Sequence, residues 1–361
     1  MTIKVPGKLM IAGEFSVLEP YQKLAVMAVD RFVYATIQKT PSNTLALKDF
    51  NIDTSWEFNG SSVVVESDNP RINFVQEAMT TTLVYLKEHD IEINPFSLTV
   101  KSELDDESGK KYGLGSSAAV VTSIVASMLN YFLPIKPADM LIFKLAAISH
   151  VKTQGNGSGA DIAAATYGGV LEYSSFQAEW LLEEIKKEQN LTDLVEKKWT
   201  YLKIHPITIP KELELCIGWT GNPASTSNLV NKVLKLKENN PSKFKTFIHH
   251  SEHAVQDFLR GMETNDIPLL FKGIKTNRQA LAKVGRQAHV QLETPLLKTL
   301  SDLAERYEGV GKQSGAGGGD CGIAFMPSKE KVEQLKQAWL DAGIKPMDLS
   351  VCLNGATIID E

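Results

Sequence analysis

Residues 110–120 read "KKYGLGSSAAV", a turn rich in glycine and serine at the mouth of a long apolar stretch. A helix end offers N–H groups without intrahelical partners and a partial positive charge, and glycine lets the backbone approach a ligand closely. A turn of this kind is built to accept an anion, and Lys110 and Lys111 just upstream point to phosphate. Taken alone, a glycine turn that only starts a helix would also account for the segment. It is not a Walker A loop, since no Lys-Ser/Thr follows a glycine at the required spacing. It is not a dinucleotide-binding turn either, because "GLGSSA" lacks the third glycine.

Two further segments change its weight. "VPGKLMIAGEFSVLE" (5–19) places Lys8 in an expected Pro-Gly-Lys turn. "KQSGAGGGDCGIAF" (312–325) reads as a second N–H-rich loop, expected between a helix and a strand. Four glycines with small partners cannot pack a core, so close backbone approach to a ligand is the reason for that loop.

Outward from these loops the pattern is mixed. "LAVMAVDRFVYATIQK" (24–39) is β-branched and aromatic and predicts one or two strands; 63–66, 96–104 and 168–176 predict others. Helices are expected over 71–88, 116–132 and 137–152, and a charged, solvated helical segment over 180–199. The second half is expected to open with a strand at 213–221 and run through amphipathic helices to about Tyr307. A strand at "CGIAFM", a helix over 328–342 and a strand around "MDLSVCLN" would close it. The fold class is α+β in two domains, 1–205 and 206–361, with the junction near 200–212.

Bulk numbers agree. A chain of 361 residues exceeds one ordinary core, at ~150 residues per domain. With 38 basic and 43 acidic residues, net −5, nucleic acid is not the expected partner, and an anionic ligand must meet a local basic cluster. Cys216, Cys321 and Cys352 are few and unpatterned, which suits a reducing cytoplasm. No signal-peptide core is apparent and no apolar run approaches the ~18 residues of a membrane span. The expected setting is the cytoplasm, with no membrane partner, and monomer and homodimer both remain open.

The three loop segments, in this order and at these distances, resemble the three motifs of the GHMP kinases, and the resemblance spans nearly the whole chain. "KKYGLGSSAAV", "GNGSGADIAAATYGG" (155–169) and "SGAGGGDCGIA" together look most like the branch that phosphorylates phosphomevalonate in bacteria. The resemblance implies a GHMP kinase fold. Its N-terminal α+β domain has a ribosomal-S5-like part, its C-terminal domain is ferredoxin-like, and the site lies between them. It implies ATP and Mg2+ as cofactors and phosphomevalonate as the small-molecule substrate, in the mevalonate pathway of isoprenoid biosynthesis. Mevalonate kinase, diphosphomevalonate decarboxylase and a non-catalytic nucleotide-binding regulator are the rival readings.

Carried over by position, Lys8 and Asp161 are the catalytic pair. Lys111, Gly113, Leu114, Gly115, Ser116, Ser117 and Ala118 surround the triphosphate, with Ser117 as a metal ligand. Lys8, Gly157, Ser158, Ser225, Ser314, Gly315, Ala316, Gly317 and Gly318 contact the acceptor. Lys101, Lys110 and Arg71 are weaker candidates for anion contacts. One departure stands out. Mevalonate kinases carry a metal-binding glutamate eleven residues before this aspartate, and here that place is His150. A neutral imidazole replaces a hard oxygen ligand poorly.

Phosphoryl transfer is mainly alignment and charge neutralisation, which suits lysine, backbone N–H groups and Mg2+. An alcohol acceptor would need a base, but a phosphomonoester, with a second pKa near ~6, is already ionised at neutral pH. For that acceptor Asp161 positions Lys8 or the metal. "HHSEH" (249–253) fits a short zinc-peptidase pattern but lies in a charged amphipathic stretch, so a solvated helix face is expected. Glu14 and Asp30 are read as orienting or buried pairing groups, and Cys321 as a bystander next to Asp320.

Overall fold

The sixteen residues Leu24–Lys39 form one long strand, β2, continuously buried over 24–29 and alternating thereafter. It is the spine of a sheet that the computed structural model describes along with the rest of residues 1–67, 69, 72–106, 109–224 and 226–360; at 226 and 227 only the backbone is described. Around it the first half comprises β1 (Thr2–Ala12), β3 (Thr44–Leu47), β4 (Ile52–Phe58), β5 (Val63–Val65), α1 (Ile72–Glu88), β6 (Phe96–Ser102), α2 (Ser116–Phe132), α3 (Asp139–Gln154), α4 (Ala160–Tyr167), β7 (Val170–Ser174), α5 (Ala178–Lys187), α6 (Leu191–Glu196) and β8 (Lys203–Ile207). The second half comprises β9 (Glu214–Trp219), α7 (Thr226–Asn239), α8 (Pro241–Thr264), α9 (Ile267–Gln287), α10 (Pro295–Arg306), β10 (Val310–Gln313), β11 (Cys321–Met326), α11 (Lys329–Asp341), β12 (Lys345–Met347) and β13 (Thr357–Asp360).

The first sheet runs β13-β1-β2-β6-β3-β4-β5, and β7 pairs with both β2 and β8. Helix α2 is buried along nearly its whole length from Ala118 to Leu129 and packs on β1 and β2 with α1, α3 and α4 around it. A helix without a charged residue, rich in apolar side chains and with its Ser123 and Ser127 hydroxyls returned to its own carbonyls, belongs in such a place. The second sheet has the order β10-β11-β9-β12, every pairing antiparallel. Helices α7–α10 fill the first crossover and α11 the second, which is the ferredoxin-like βαββαβ arrangement. Phe15, from the loop after β1, is buried among Phe244, Phe247 and Leu281 of the second half, so the two halves share apolar packing.

Several local expectations are corrected. Lys8 is not in a turn: it lies within β1, two positions after Pro6, where the register against β2 shifts. A proline at such an irregularity gives up no ladder bond that the strand needs. The loop at 314–320 joins two strands, β10 and β11, in place of the expected helix and strand. Segment 180–199 is two short helices, with Glu188 at the end of the first, and Leu181, Leu194 and Trp199 turned into the core. No strand covers 348–354; instead the Asp30 N–H donates to the Ser350 carbonyl, the Ser350 N–H donates to the Asp30 carboxylate, and the Cys352 N–H donates to Ala28 while its carbonyl accepts from Gly169. Among the described residues, no helix is long and apolar enough to cross a membrane.

Candidate active site

The turn that opens α2 puts Gly113 at φ 83° and Gly115 at φ 79°, left-handed conformations that glycine adopts without a Cβ penalty. Gly115 is the N-cap, and no side chain caps the helix. The N–H groups of Ser116, Ser117 and Ala118 therefore face out of the first turn, with the helix dipole behind them. The Ala119 N–H closes that turn on the Gly115 carbonyl at 3.0 Å. Leu114, buried, anchors the loop, and its carbonyl accepts the Lys8 N–H at 2.8 Å.

Strand β1 brings Lys8 to this loop, where its Nζ donates to the Gly113 carbonyl at 3.0 Å. A Cβ on Gly115 would stand 3.0 Å from Lys8 Cγ, 3.1 Å from Lys8 Cε and 3.5 Å from Asp161 Cβ. Lys8 and Asp161 thus flank one glycine from two sides, and any side chain there would push them apart. Asp161 sits in the first turn of α4, half-buried, its Oδ1 accepting the Ile162 N–H at 3.0 Å.

Ser117 points to His150 of α3, with Oγ and Nε2 3.4 Å apart. His150 is buried against Phe74, and burial holds its imidazole below the ordinary 6.5, opposed by the charge of Asp161. Ser158 is also buried and spoken for: its Oγ accepts the Ala160 N–H at 3.3 Å and its carbonyl takes the Tyr173 hydroxyl at 2.6 Å. Burial, with the Asp161 charge adding to it, pushes the Tyr173 phenol well above its usual range. Gly157 lies, partly buried, in the connection between α3 and α4.

The loop between β10 and β11 approaches the same place. The Ser314 hydroxyl accepts the Met10 N–H at 2.9 Å, which ties the loop to the strand that carries Lys8. The Gly315 N–H donates to Glu14 Oε1 at 3.2 Å, and the same carboxylate pairs with Lys312, both side chains being buried. Gly318 donates to the Leu292 carbonyl at 2.7 Å, and Gly317 packs against that carbonyl too closely to admit a Cβ. The Gly315 and Gly318 amides of this loop are thus already engaged. Asp320, at the end of the loop, packs on Gly113.

The structure thus brings together Lys8, Gly113 to Ala118, Asp161 and the start of the third loop. Lys101, Lys110 and Lys111 are exposed; of these, Lys111 lies near enough to act on the Asp320 carboxyl. Ser225 and Arg71 lie outside the described residues. Asp30 is a pairing group whose Oδ1 accepts the Ser350 N–H at 2.7 Å. "HHSEH" is on α8, where His249 and His253 stack edge to face at 4.4 Å.

Compared with known proteins, residues 73–169 match the description "GHMP kinases N terminal domain" and residues 258–345 match "GHMP kinases C terminal", together more than half of the chain. The chain belongs to the GHMP kinases. Among relatives of this GHMP kinase is a phosphomevalonate kinase of Streptomyces sp. (strain CL190), 30% identical over 97% of this chain and 96% of its own. The Listeria innocua protein Lin0012 superposes with a TM-score of 0.93 at 35% identity, covering 99% of both chains. The Streptococcus pneumoniae phosphomevalonate kinase, solved with phosphomevalonate and AMPPNP, superposes at 0.85 with 28% identity over 97% of this chain and 99% of its own.

In this GHMP kinase the sequence reading passed over Lys312 and gave Asp320 no role, and it left Glu14 between two functions. The charged residues bracketing the third glycine run were the signal that could have found the first two.

Proposed function

We propose that this GHMP kinase transfers the γ-phosphoryl group of ATP to 5-phosphomevalonate, giving 5-diphosphomevalonate and ADP in the mevalonate pathway. The observation that carries the reading is the meeting of Lys8 and Asp161 about Gly115, at the uncapped first turn of α2. For the acceptor, support comes from the Streptomyces and Streptococcus relatives, both named phosphomevalonate kinases.

In the reaction, an oxygen of the acceptor's phosphate forms a bond to the γ-phosphorus. The bond from that phosphorus to the β,γ-bridging oxygen breaks, and ADP leaves with the electron pair. The amides of Ser116, Ser117 and Ala118 bind the triphosphate oxygens, where the open helix end favours negative charge. Lys8, held on the Gly113 carbonyl, is placed to shift its ammonium onto the transferred group as charge spreads over its oxygens. The acceptor dianion has no proton to lose near neutral pH. Asp161 accordingly positions Lys8, and the loops at 157–158 and 314–318 enclose the acceptor; Ser225 remains a candidate contact from sequence alone.

Mg2+ is part of the proposal. The Ser117 hydroxyl and the Asp161 carboxylate are hard oxygen donors lining one cradle and fit such an ion, whereas His150, a nitrogen donor kept neutral by burial, does not substitute for a carboxylate. Bound there, Mg2+ would neutralise phosphate charge. The functional halves are taken as 1–205 and 206–361, working in the cytoplasm.

Incubation with Mg·ATP and, separately, mevalonate, phosphomevalonate and diphosphomevalonate tests the assignment by product identity. ADP and diphosphomevalonate are expected from phosphomevalonate alone; turnover of mevalonate in its place would refute it.

A further inference from the structure

Asp320 takes no part in the chemistry above, yet it is held from several sides. Its N–H donates to the Asn222 carbonyl at 2.7 Å, and its own carbonyl accepts the Thr220 N–H and the Thr220 hydroxyl, each at 3.0 Å. Its Oδ1 accepts the Ala224 N–H at 3.1 Å. The backbone is left-handed, φ 56°, which a non-glycine residue adopts where its surroundings enforce it.

The rest of the carboxyl is pressed on the phosphate loop. A Cβ on Gly113 would stand 2.6 Å from Asp320 Cγ and 2.7 Å from Oδ2. The carbonyl of that same glycine receives the Lys8 ammonium at 3.0 Å. Burial raises the carboxyl's pKa, while the Ala224 N–H, Lys8 and Lys111 pull it down; these are the groups that face it. A negative charge is thus stationed at the entrance of a cradle meant for polyanions. That placement works against ground-state phosphate binding and in favour of the Lys8 ammonium held at the same glycine.

We propose that Asp320 is a positioning residue, the resident counter-charge of Lys8, which keeps the Lys8 ammonium at the Gly113 carbonyl and sets the orientation from which Lys8 engages the transferred group. The inference rests on the reading of the 113–118 turn as the phosphate loop. It separates binding from turnover. Without the carboxylate, phosphates bind more tightly and turn over more slowly, whereas a merely structural defect would weaken both.

The test is titration calorimetry of inorganic tripolyphosphate and of Mg·ATP against the full chain, comparing wild type with Asp320→Asn, which keeps an oxygen for the Ala224 N–H. Several-fold tighter binding of both anions is expected, the gain shrinking as salt screens the charges, with kcat on phosphomevalonate lowered at least tenfold. Equal or weaker anion binding by the variant overturns the proposal. Should Asp320→Asn not fold, Asp320→Ser carries the same comparison, and Asp320→Glu, which keeps the charge, is expected to bind as the wild type does. If phosphomevalonate is not turned over by the wild type but the tripolyphosphate affinities shift as stated, the acceptor assignment fails and the counter-ion role stands.

Discussion

Lys8 grips the turn before α2 twice, its ammonium on the Gly113 carbonyl at 3.0 Å and its N–H on the Leu114 carbonyl at 2.8 Å, across more than a hundred residues of sequence. The second bond belongs to the backbone and survives any substitution other than proline; the first depends on the ammonium. Lys8→Met therefore keeps the strand-to-loop contact and the aliphatic stem. Its kcat is expected to fall by about 10²–10³, with the ATP dissociation constant within a few-fold of wild type. Pre-steady-state and binding measurements on the variant check this, and a near-normal kcat removes Lys8 from the mechanism.

Asp161 gives a prediction in pH. A general base would contribute an acidic limb to the kcat/KM profile that vanishes in Asp161→Asn. With a phosphate acceptor the limb reports the substrate's own ionisation, near ~6, and is expected to persist in Asp161→Asn at a much reduced rate. Profiles of both forms, set beside the independently titrated substrate, decide between base and positioner.

The buried pair of Glu14 and Lys312 predicts a stability effect. Burial pulls the Lys312 pKa down, opposed by Glu14, and Lys312 also donates to the Gln313 carbonyl at 2.6 Å. Removing one partner strands the other charge. Glu14→Leu and Lys312→Met are each expected to cost about 3–5 kcal/mol, and the double variant to recover most of the loss. Denaturant titrations of the four proteins measure the cycle; additive losses would show that the pair is not coupled.

His150 predicts the slope of stability against pH. Its folded pKa lies below 6.5, so on acidification the unfolded chain takes up this proton first. The stabilisation is complete above about 6.5 and is lost as pH falls through the lower folded value. His150→Gln is expected to unfold with a shallower dependence between about pH 7 and 5. Superimposable slopes would show that the imidazole titrates alike in both states.

Much of this was legible in the sequence because its signals are local. The "GLGSS" turn, the long strand at 24–39 and the helix from Ser116 to Phe132 follow from glycine, β-branching and a predominantly apolar run free of charge, each readable within a short window. What was missed depends on partners far along the chain. "VPGKL" looks like a turn because Pro-Gly usually is one, and only pairing with β2 makes it a strand. Lys312 looks like any solvated lysine until Glu14, some three hundred residues earlier, is placed beside it. Asp320 borrows its meaning from Gly113, and no spacing rule connects the two.

Strand β13 pairs antiparallel with β1, Thr2 opposite Asp360. During synthesis the strand that carries Lys8 therefore emerges long before one of its two neighbours, which is made only after residue 356. At roughly 5–20 residues per second, the ribosome needs on the order of ten seconds or more after finishing the first half before that neighbour exists. Through that interval the growing chain displays a bare sheet edge, open to pairing with other nascent chains. The penalty for premature truncation thus falls on the beginning of the molecule: a chain ending shortly before β13 would carry every loop of the site and still leave β1 without its outer partner.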